Sequence, residues 1–373
     1  MLIWQSELVA GIPHPVAVVR VRGTVGGKIS ALRGRCEVTL MRKATNGGLW
    51  FALLIAGYIF LFCSSLAAED VKLREEAIRL MEKANQVSLL GALSSYRMET
   101  TFRVHYADGT TREGSYSRVL ATSVGMREEE RFGDFHAVYV HMKDKWAYTS
   151  LWKEPVELLE LREQLPVRLG RFDQEDVIRS IDDASVDGVA AKCIRFDTQF
   201  GDKLQANEIC MDPATGAELR WRVGDELVEN FSYFQVGNLW EPAHIVRSVR
   251  GALQMEIDQK ITLLQGAVDP NLFASPTGTW YPVWHCDTFR RPIGISTPQP
   301  PPGNAGTDTV DVVISGYIRE NGKPQTLSIL SSSRADLNDE ALKTVAGWTF
   351  QPMLCNGNPG TQRVEFVVHF QGR

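Results

Sequence analysis

Between Ser95 and about Leu264 the apolar residues recur at a period of two, in runs cut short by turn residues. Segments near 95–106, 113–121, 124–132, 135–142 and 145–150 are joined by Asp108-Gly109, Gly133-Asp134 and Lys143-Asp144. Strand-like segments resume at Val186 and continue through 189–200, 203–212, 217–223, 227–235 and 240–250. Such alternation with short turns predicts an antiparallel meander. Helical spacing appears in only three places before residue 275. Residues 70–88 set Leu73, Ala77, Leu80, Met81, Ala84 and Val87 against a solvated face of Arg74, Glu75, Glu76, Arg79, Glu82 and Lys83. The stretches Glu154 to Leu165 and Gln174 to Asp182 read as two further helices. One helix, a meander, two helices and a second meander describe an α+β fold, a curved antiparallel sheet wrapped over helices.

The most apolar run, Leu49 to Phe62, follows Met41-Arg42-Lys43 and precedes Ser65-Leu66-Ala67-Ala68. A basic start, an apolar middle and a small-residue cleavage site are the parts of an export signal read from Met41. Residues 1–40 are then a misassigned upstream extension, and cleavage falls near Ala67/Ala68. If residues 1–40 are genuine, residues 49–68 are long enough to anchor the chain in a membrane. Both readings place the chain beyond Glu69 in the periplasm, released or anchored in the inner membrane. Phe62 is too large for the residue preceding a lipidated cysteine at Cys63.

Once the seven Lys/Arg and two Asp/Glu of residues 1–68 are set aside, 33 Lys/Arg face 43 Asp/Glu, a net −10. That field attracts no nucleic acid. Four cysteines remain in the exported part: Cys193, Cys210, Cys286 and Cys355. Four cysteines allow three pairings. A two-residue turn at Gly201-Asp202 pairs residues whose numbers sum to 403, as Cys193 and Cys210 do. Seven steps beyond the hydrogen-bonded closing pair 200/203, they face each other at a non-hydrogen-bonded site, where strands come closest. The alternative is two inert buried thiols. Cys286 and Cys355 pair by exclusion. No CxxC occurs, and His136 and His141, five apart on a strand, face opposite ways, so the pattern implies no metal.

Residues 276–307 hold five prolines between Pro292 and Pro302 and end in Gly303-Asn304-Ala305-Gly306-Thr307, the composition of a linker. Beyond it, residues 308–373 change character. Val310, Val312, Ile314 and Ile318 alternate, Asn321-Gly322 supplies a type I′ turn, and Leu327, Ile329 and Ser331 return. Leu337, Ala341, Leu342, Val345 and Trp348 then recur at helical spacing, with Asn338 as N-cap and Asp339 and Glu340 in the first turn. A second hairpin follows around Cys355 to Gly360, and Val364, Phe366, Val368 and Phe370 mark the last strand.

This ββαββ order, with Leu337-Asn338-Asp339-Glu340-Ala341-Leu342 opening the helix and Trp348-Thr349-Phe350-Gln351-Pro352 closing it, resembles the TonB C-terminal domain. Trp348 and Phe350 anchor helix to sheet, and Pro352 ends pairing. The resemblance implies that the last strand, Arg363, Val364, Glu365, Phe366, Val367, Val368, His369 and Phe370, receives an extended peptide of an envelope or outer-membrane protein by strand addition. Arg363 and His369 read there as solubilising edge charges ahead of side-chain readers. The apolar run near residue 55 has no polar residue suited to a proton-driven motor, and no long Pro/Lys linker follows it.

Residues 69–275 resemble the LolA-like family of periplasmic lipoprotein carriers. The likeness rests on the order of elements, on the Cys193/Cys210 hairpin leading into Met211-Asp212-Pro213-Ala214-Thr215-Gly216, and on Val268-Asp269-Pro270-Asn271-Leu272-Phe273. It implies an unclosed half-barrel whose concave face holds a lipid or acyl chain, or else a filled core. Nucleophile elbows, zinc-protease motifs and phosphate loops are all absent from the sequence. Asp182-Asp183 and Glu128-Glu129-Glu130 are neighbours that a strand turns to opposite faces, and His244 reads as a satisfied core histidine. The expectation is a non-enzymatic binding protein that needs no cofactor, acting through the last strand or, alternatively, as a lipid carrier. Its oligomeric state is not written in these motifs.

Overall fold

The computed structural model describes residues 71–88, 93–143, 145–149, 154–165, 172–200, 203–281, 288–301 and 309–371. The leader expectations, covering residues 1–68, lie outside the described residues. Turn chemistry and alternation lay down a large sheet of twelve strands. These are β1 (Ser95–His105), β2 (Thr111–Ala121), β3 (Gly125–Phe132), β4 (Phe135–Met142), β5 (Lys145–Tyr148), β6 (Val177–Val186), β7 (Val189–Phe200), β8 (Lys203–Met211), β9 (Glu218–Val223), β10 (Glu226–Val236), β11 (Leu239–Val249) and β12 (Ala252–Leu263). Helix α1 covers residues 71–87 and α2 spans Val156–Gln164. The order β5-β4-β3-β2-β1-β12-β11-β10-β9-β8-β7-β6 is antiparallel throughout. Two meanders are therefore fused where β1 pairs β12, from Tyr96↔Leu263 to Val104↔Met255. The sheet curves but does not close.

Alternation decides which side chains go inside. Along β1, Tyr96, Met98, Thr100, Phe102 and Val104 are buried while their neighbours face solvent. Tyr96, Met98, Phe102 and Val104 join Phe132, Val228, Leu239, Ile245, Met255 and Ile257 in one core, filled from within by Leu158, Leu161 and Leu165 of α2 and its C-cap. Helix α1 buries Ala77, Met81 and Ala84 against Ile194, Ile209 and Met211. Its Lys83 Nζ donates to Pro213 O and Ala214 O, at 2.5 and 2.9 Å, which ties the helix to the Asp212–Gly216 turn.

Residues 174–182 are not helical. Val177, Ile178 and Ile181 are β-branched, and β7 offers them a ladder along its whole length, so pairing outweighs the apolar spacing that suggested a helix.

The C-terminal part contains β15 (Val310–Ile318), β16 (Pro324–Ser332), α3 (Asn338–Ala346), β17 (Thr349–Gln351), β18 (Met353–Cys355), β19 (Asn358–Gly360) and β20 (Gln362–Phe370), preceded by β13 (Phe289–Arg290) and β14 (Ile293–Ser296). Four corrections to the sequence reading arise here. The proline-rich segment is not only a linker: β14 pairs β17 and β13 pairs β18. The expected four-stranded arrangement is instead a three-stranded sheet, β16-β15-β20, with the second hairpin turned away onto those linker strands. The Asn321-Gly322 turn is not type I′. Only Gly322 has positive φ, +76°, and Gly322 N–H donates to Arg319 O at 2.8 Å, the three-residue loop of a bulged hairpin. Asn338 does not cap α3 either, because a 3-10 turn at Ala335–Leu337 precedes it and Asn338 is already helical.

Gly322 answers to a second demand. Phe350 N–H donates to its carbonyl at 2.9 Å, and a Cβ at this position would lie 2.0 Å from Phe350 O. Asn356 and Gly357, at φ +51° and +83°, make the two-residue turn between β18 and β19.

Candidate functional site

The last strand gains its rigidity from one side and its availability from the other. Val364, Phe366, Val368 and Phe370 are buried against Val310, Val312 and Ile314 of β15 and against Leu337, Ala341 and Val345. Trp348 and Phe350 converge on Phe366, with ring centroids 6.0 and 5.6 Å away, so both expected anchors clamp β20 itself. Pro352 lies between β17 and β18, which pair with different strands. The nine-residue ladder from Val310↔Phe370 to Ile318↔Gln362 runs without a bulge.

The twelve-stranded sheet and the β16-β15-β20 sheet have four edges; two are covered and a third is irregular and charged. At β5, Trp146 and Tyr281 exchange both backbone hydrogen bonds at 2.8 Å. At β6, the register breaks between Ile178 and Ser180, and Asp182 and Asp183 add charge, both standard protections of an edge. At β16, the Gly224-Asp225 turn of the large sheet lies on the strand. Asp225 N–H donates to Ile329 O at 3.1 Å, and a Cβ on Gly224 would sit 2.2 Å from the same oxygen. Ser331 Oγ donates to Leu204 O at 3.2 Å beside it. Among the described residues no strand pairs the outer edge of β20.

Which groups point outward follows from parity. In an antiparallel ladder a residue turns both its N–H and its C=O to the same side, alternating along the strand. His369 N–H bonds Gln299 Oε1, not β15, at 2.9 Å. The outward set is therefore Arg363, Glu365, Val367 and His369.

Arg363 and His369, expected as solubilising edge charges, both stand in ion pairs while remaining partly exposed. Arg363 Nη1 is 2.6 Å from Glu163 Oε2 of α2, and its Nε donates to Ser315 Oγ at 3.0 Å. The Glu163 carboxylate holds the Arg363 charge even more firmly than usual. Buried Tyr317 donates to Glu163 Oε1 at 2.8 Å, and burial raises its phenol well above the ordinary range. His369 Nδ1 lies 2.7 Å from Asp311 Oδ1. Helix α2 thus serves two cores: Leu158 and Leu161 face the large sheet, while Val156 and Leu159 pack with Tyr317 of the small one. Glu163 gave no signal in the sequence, since its role depends on a contact across more than 150 residues.

The second expected site is the half-barrel interior. Side chains of α2 occupy it, and part of the filling is charged. Arg118 binds Glu128 at 2.8 and 2.9 Å, with Tyr116 on the same carboxylate oxygen. Arg162 reaches Glu130 at 2.6 Å and also Glu154, which Tyr139 shares. Burial pushes Glu130 well above the usual carboxylate range despite Arg162, whereas Arg118 and Arg162 hold Glu128 below it. Arg247 bridges Glu160, raised to about 8 by burial, and Glu226. Glu129 faces outward to Arg131 and His136, the alternation expected. His244 is not a core residue; a third of its side chain is exposed, and Nδ1 meets Asp258 at 2.8 Å.

Cys193 and Cys210 are bonded, with Cα atoms 4.0 Å apart in the register 193↔210. Cys355 is also disulfide-bonded; Cys286, its expected partner, lies outside the described residues, as does the Gly201-Asp202 turn.

Residues 308–371 match the family described as Gram-negative bacterial TonB protein C-terminal. Among solved structures, a putative outer membrane lipoprotein-sorting protein domain from Vibrio parahaemolyticus is similar at 10% identity, covering 53% of this chain and 97% of its own, with a TM-score of 0.36. A LolA superfamily protein from Nitrosomonas europaea is similar at 8% identity, 52% and 96% coverage, and a TM-score of 0.34. The Pseudomonas aeruginosa MucA/MucB complex is similar at 12% identity, 67% and 81% coverage, and a TM-score of 0.24. No curated protein matches the chain.

Proposed function

We propose that this chain is an exported, non-enzymatic envelope protein whose C-terminal module receives an extended segment of a partner protein along β20, as in TonB-type transport across the envelope. The observation that carries the reading is that β20, among the described residues, is the edge of these two sheets whose ladder is regular and whose outer side no strand or turn covers, Gln299 touching it only at His369. Its outward side carries the backbone N–H and C=O groups of Arg363 and Val367, and its aromatic clamp keeps them in line. Strand addition draws its affinity from such main-chain groups. The rival reading, a lipid or acyl chain held in the half-barrel, needs interior volume that Leu158, Leu161, Arg162 and their partners occupy.

A photo-crosslinking residue at Glu365 in cell-envelope preparations tests the proposal. The expected result is a protein adduct that disappears when Val367→Pro removes one outward amide. Proline on an outward edge position leaves the inner ladder intact. An adduct indifferent to Val367→Pro, or labelling of lipid alone, overturns the reading.

A further inference from the structure

The strap of residues 297–301, which follows β14, reaches one end of the acceptor edge. Trp348 Nε1 donates to Pro298 O at 2.9 Å, which ties the strap to the aromatic clamp. One residue later, exposed Gln299 places its Oε1 2.9 Å from His369 N–H, an outward amide of β20. Gln299 stands between Pro298 and Pro300-Pro301. Prolines have no N–H to contribute to a ladder, and Pro300 holds the residue before it in an extended conformation. The strap is thus unable to lie down along β20 as a strand of its own. What it supplies is a single side-chain acceptor at a single amide.

We infer that Gln299 is a built-in competitor of the incoming strand and sets where pairing begins. This rests on the reading of β20 as an acceptor edge. In the resting protein Gln299 occupies the His369 amide, and a short segment pairs only on the part of β20 that precedes His369. A longer segment extends to His369 by replacing the Gln299 oxygen with a backbone carbonyl. His369 Nδ1 is itself held by Asp311, at 2.7 Å. The exchange swaps one acceptor for another, so it costs little and is reversible. Binding therefore discriminates by the length and register of the segment, with no side-chain pocket required.

Two measurements on the oxidised full chain test this. Amide exchange resolved by residue should show His369 protected in the wild type and in Gln299→Glu, which keeps an acceptor, and as fast as Val367 in Gln299→Ala. Equal protection of His369 in wild type and Gln299→Ala overturns the assignment. The second uses a synthetic extended octapeptide of alternating threonine and valine flanked by lysines. Gln299→Ala should bind it about 2- to 10-fold more tightly than wild type, the value of one net hydrogen bond no longer contested. Gln299→Glu should bind like wild type. Binding that is equal across all three proteins sinks the competitor role while leaving the acceptor edge standing. Binding by none of them sinks the acceptor edge and this inference with it.

Discussion

Glu241 offers the sharpest test of how the large sheet is held together. It lies on β11 opposite Phe234, is 1% exposed, and its Oε1 has no hydrogen-bond partner among the described residues. Burial, and then the nearby Glu218, push its carboxyl up to about 9 from 4.5. The sign of the consequence follows from where each state holds the proton. Below pH 4.5 both states keep it, and Glu241 contributes no pH dependence. Between 4.5 and 9 the unfolded chain releases it while the folded chain retains it, so stability falls as pH rises, by about 1.4 kcal/mol per unit. At pH 7 the accumulated loss is about 3 kcal/mol, before any discount for relaxation of the site. Glutamine has nearly the same shape and does not ionise. Glu241→Gln should therefore raise the urea midpoint at pH 7, by the equivalent of about 1–3 kcal/mol, the lower end allowing for the extra buried N–H. At pH 4.5 the gain should vanish, leaving Glu241→Gln equal to the wild type or below it by the cost of that N–H, with equal m-values. A gain of the same size at both pH values, or a loss at pH 7, refutes the argument.

Two further outcomes are expected. Replacing Cys193 and Cys210 together by alanine opens a link spanning 17 residues and should cost about 3 kcal/mol, seen as a lower melting temperature under oxidising conditions. An unchanged melting temperature would show that the bond adds nothing to the hairpin. Gly322→Ala forces a side chain into a conformation at φ +76° and against Phe350 O. It should cost at least about 2 kcal/mol and speed exchange of the Phe350 amide, and normal Phe350 protection would contradict the contact.

Local rules made much of this fold readable, and long-range contacts made the rest unreadable. The 193↔210 register follows from one two-residue turn because hairpin pairing is a matter of counting. The pairing of β13 and β14 with β18 and β17 does not, since those strands are two to four residues long and join segments about sixty residues apart. Gln174 to Asp182 misled because apolar spacing over nine residues fits either element, and only the neighbouring β7 decided it. The last strand and its Trp348 and Phe350 anchors were legible from alternation and motif. Glu163 and Gln299 were not. The buried state of Glu128 and Glu130 was likewise hidden, because strand alternation assigns a face but not what that face packs against.

The capping of β16 by the Gly224-Asp225 turn has a consequence for growth in number. Fibres and open-ended filaments require every subunit to recruit a neighbour through two different surfaces. Among the described residues β20 is the one regular, uncovered edge of these two sheets, and it meets that requirement once. Two copies meeting there would be related by a twofold axis and would each bury that edge, so pairing through it stops at two. Loosening the turn at Gly224 would change that arithmetic, since it would hand each molecule a second template and turn a self-limiting association into a propagating one.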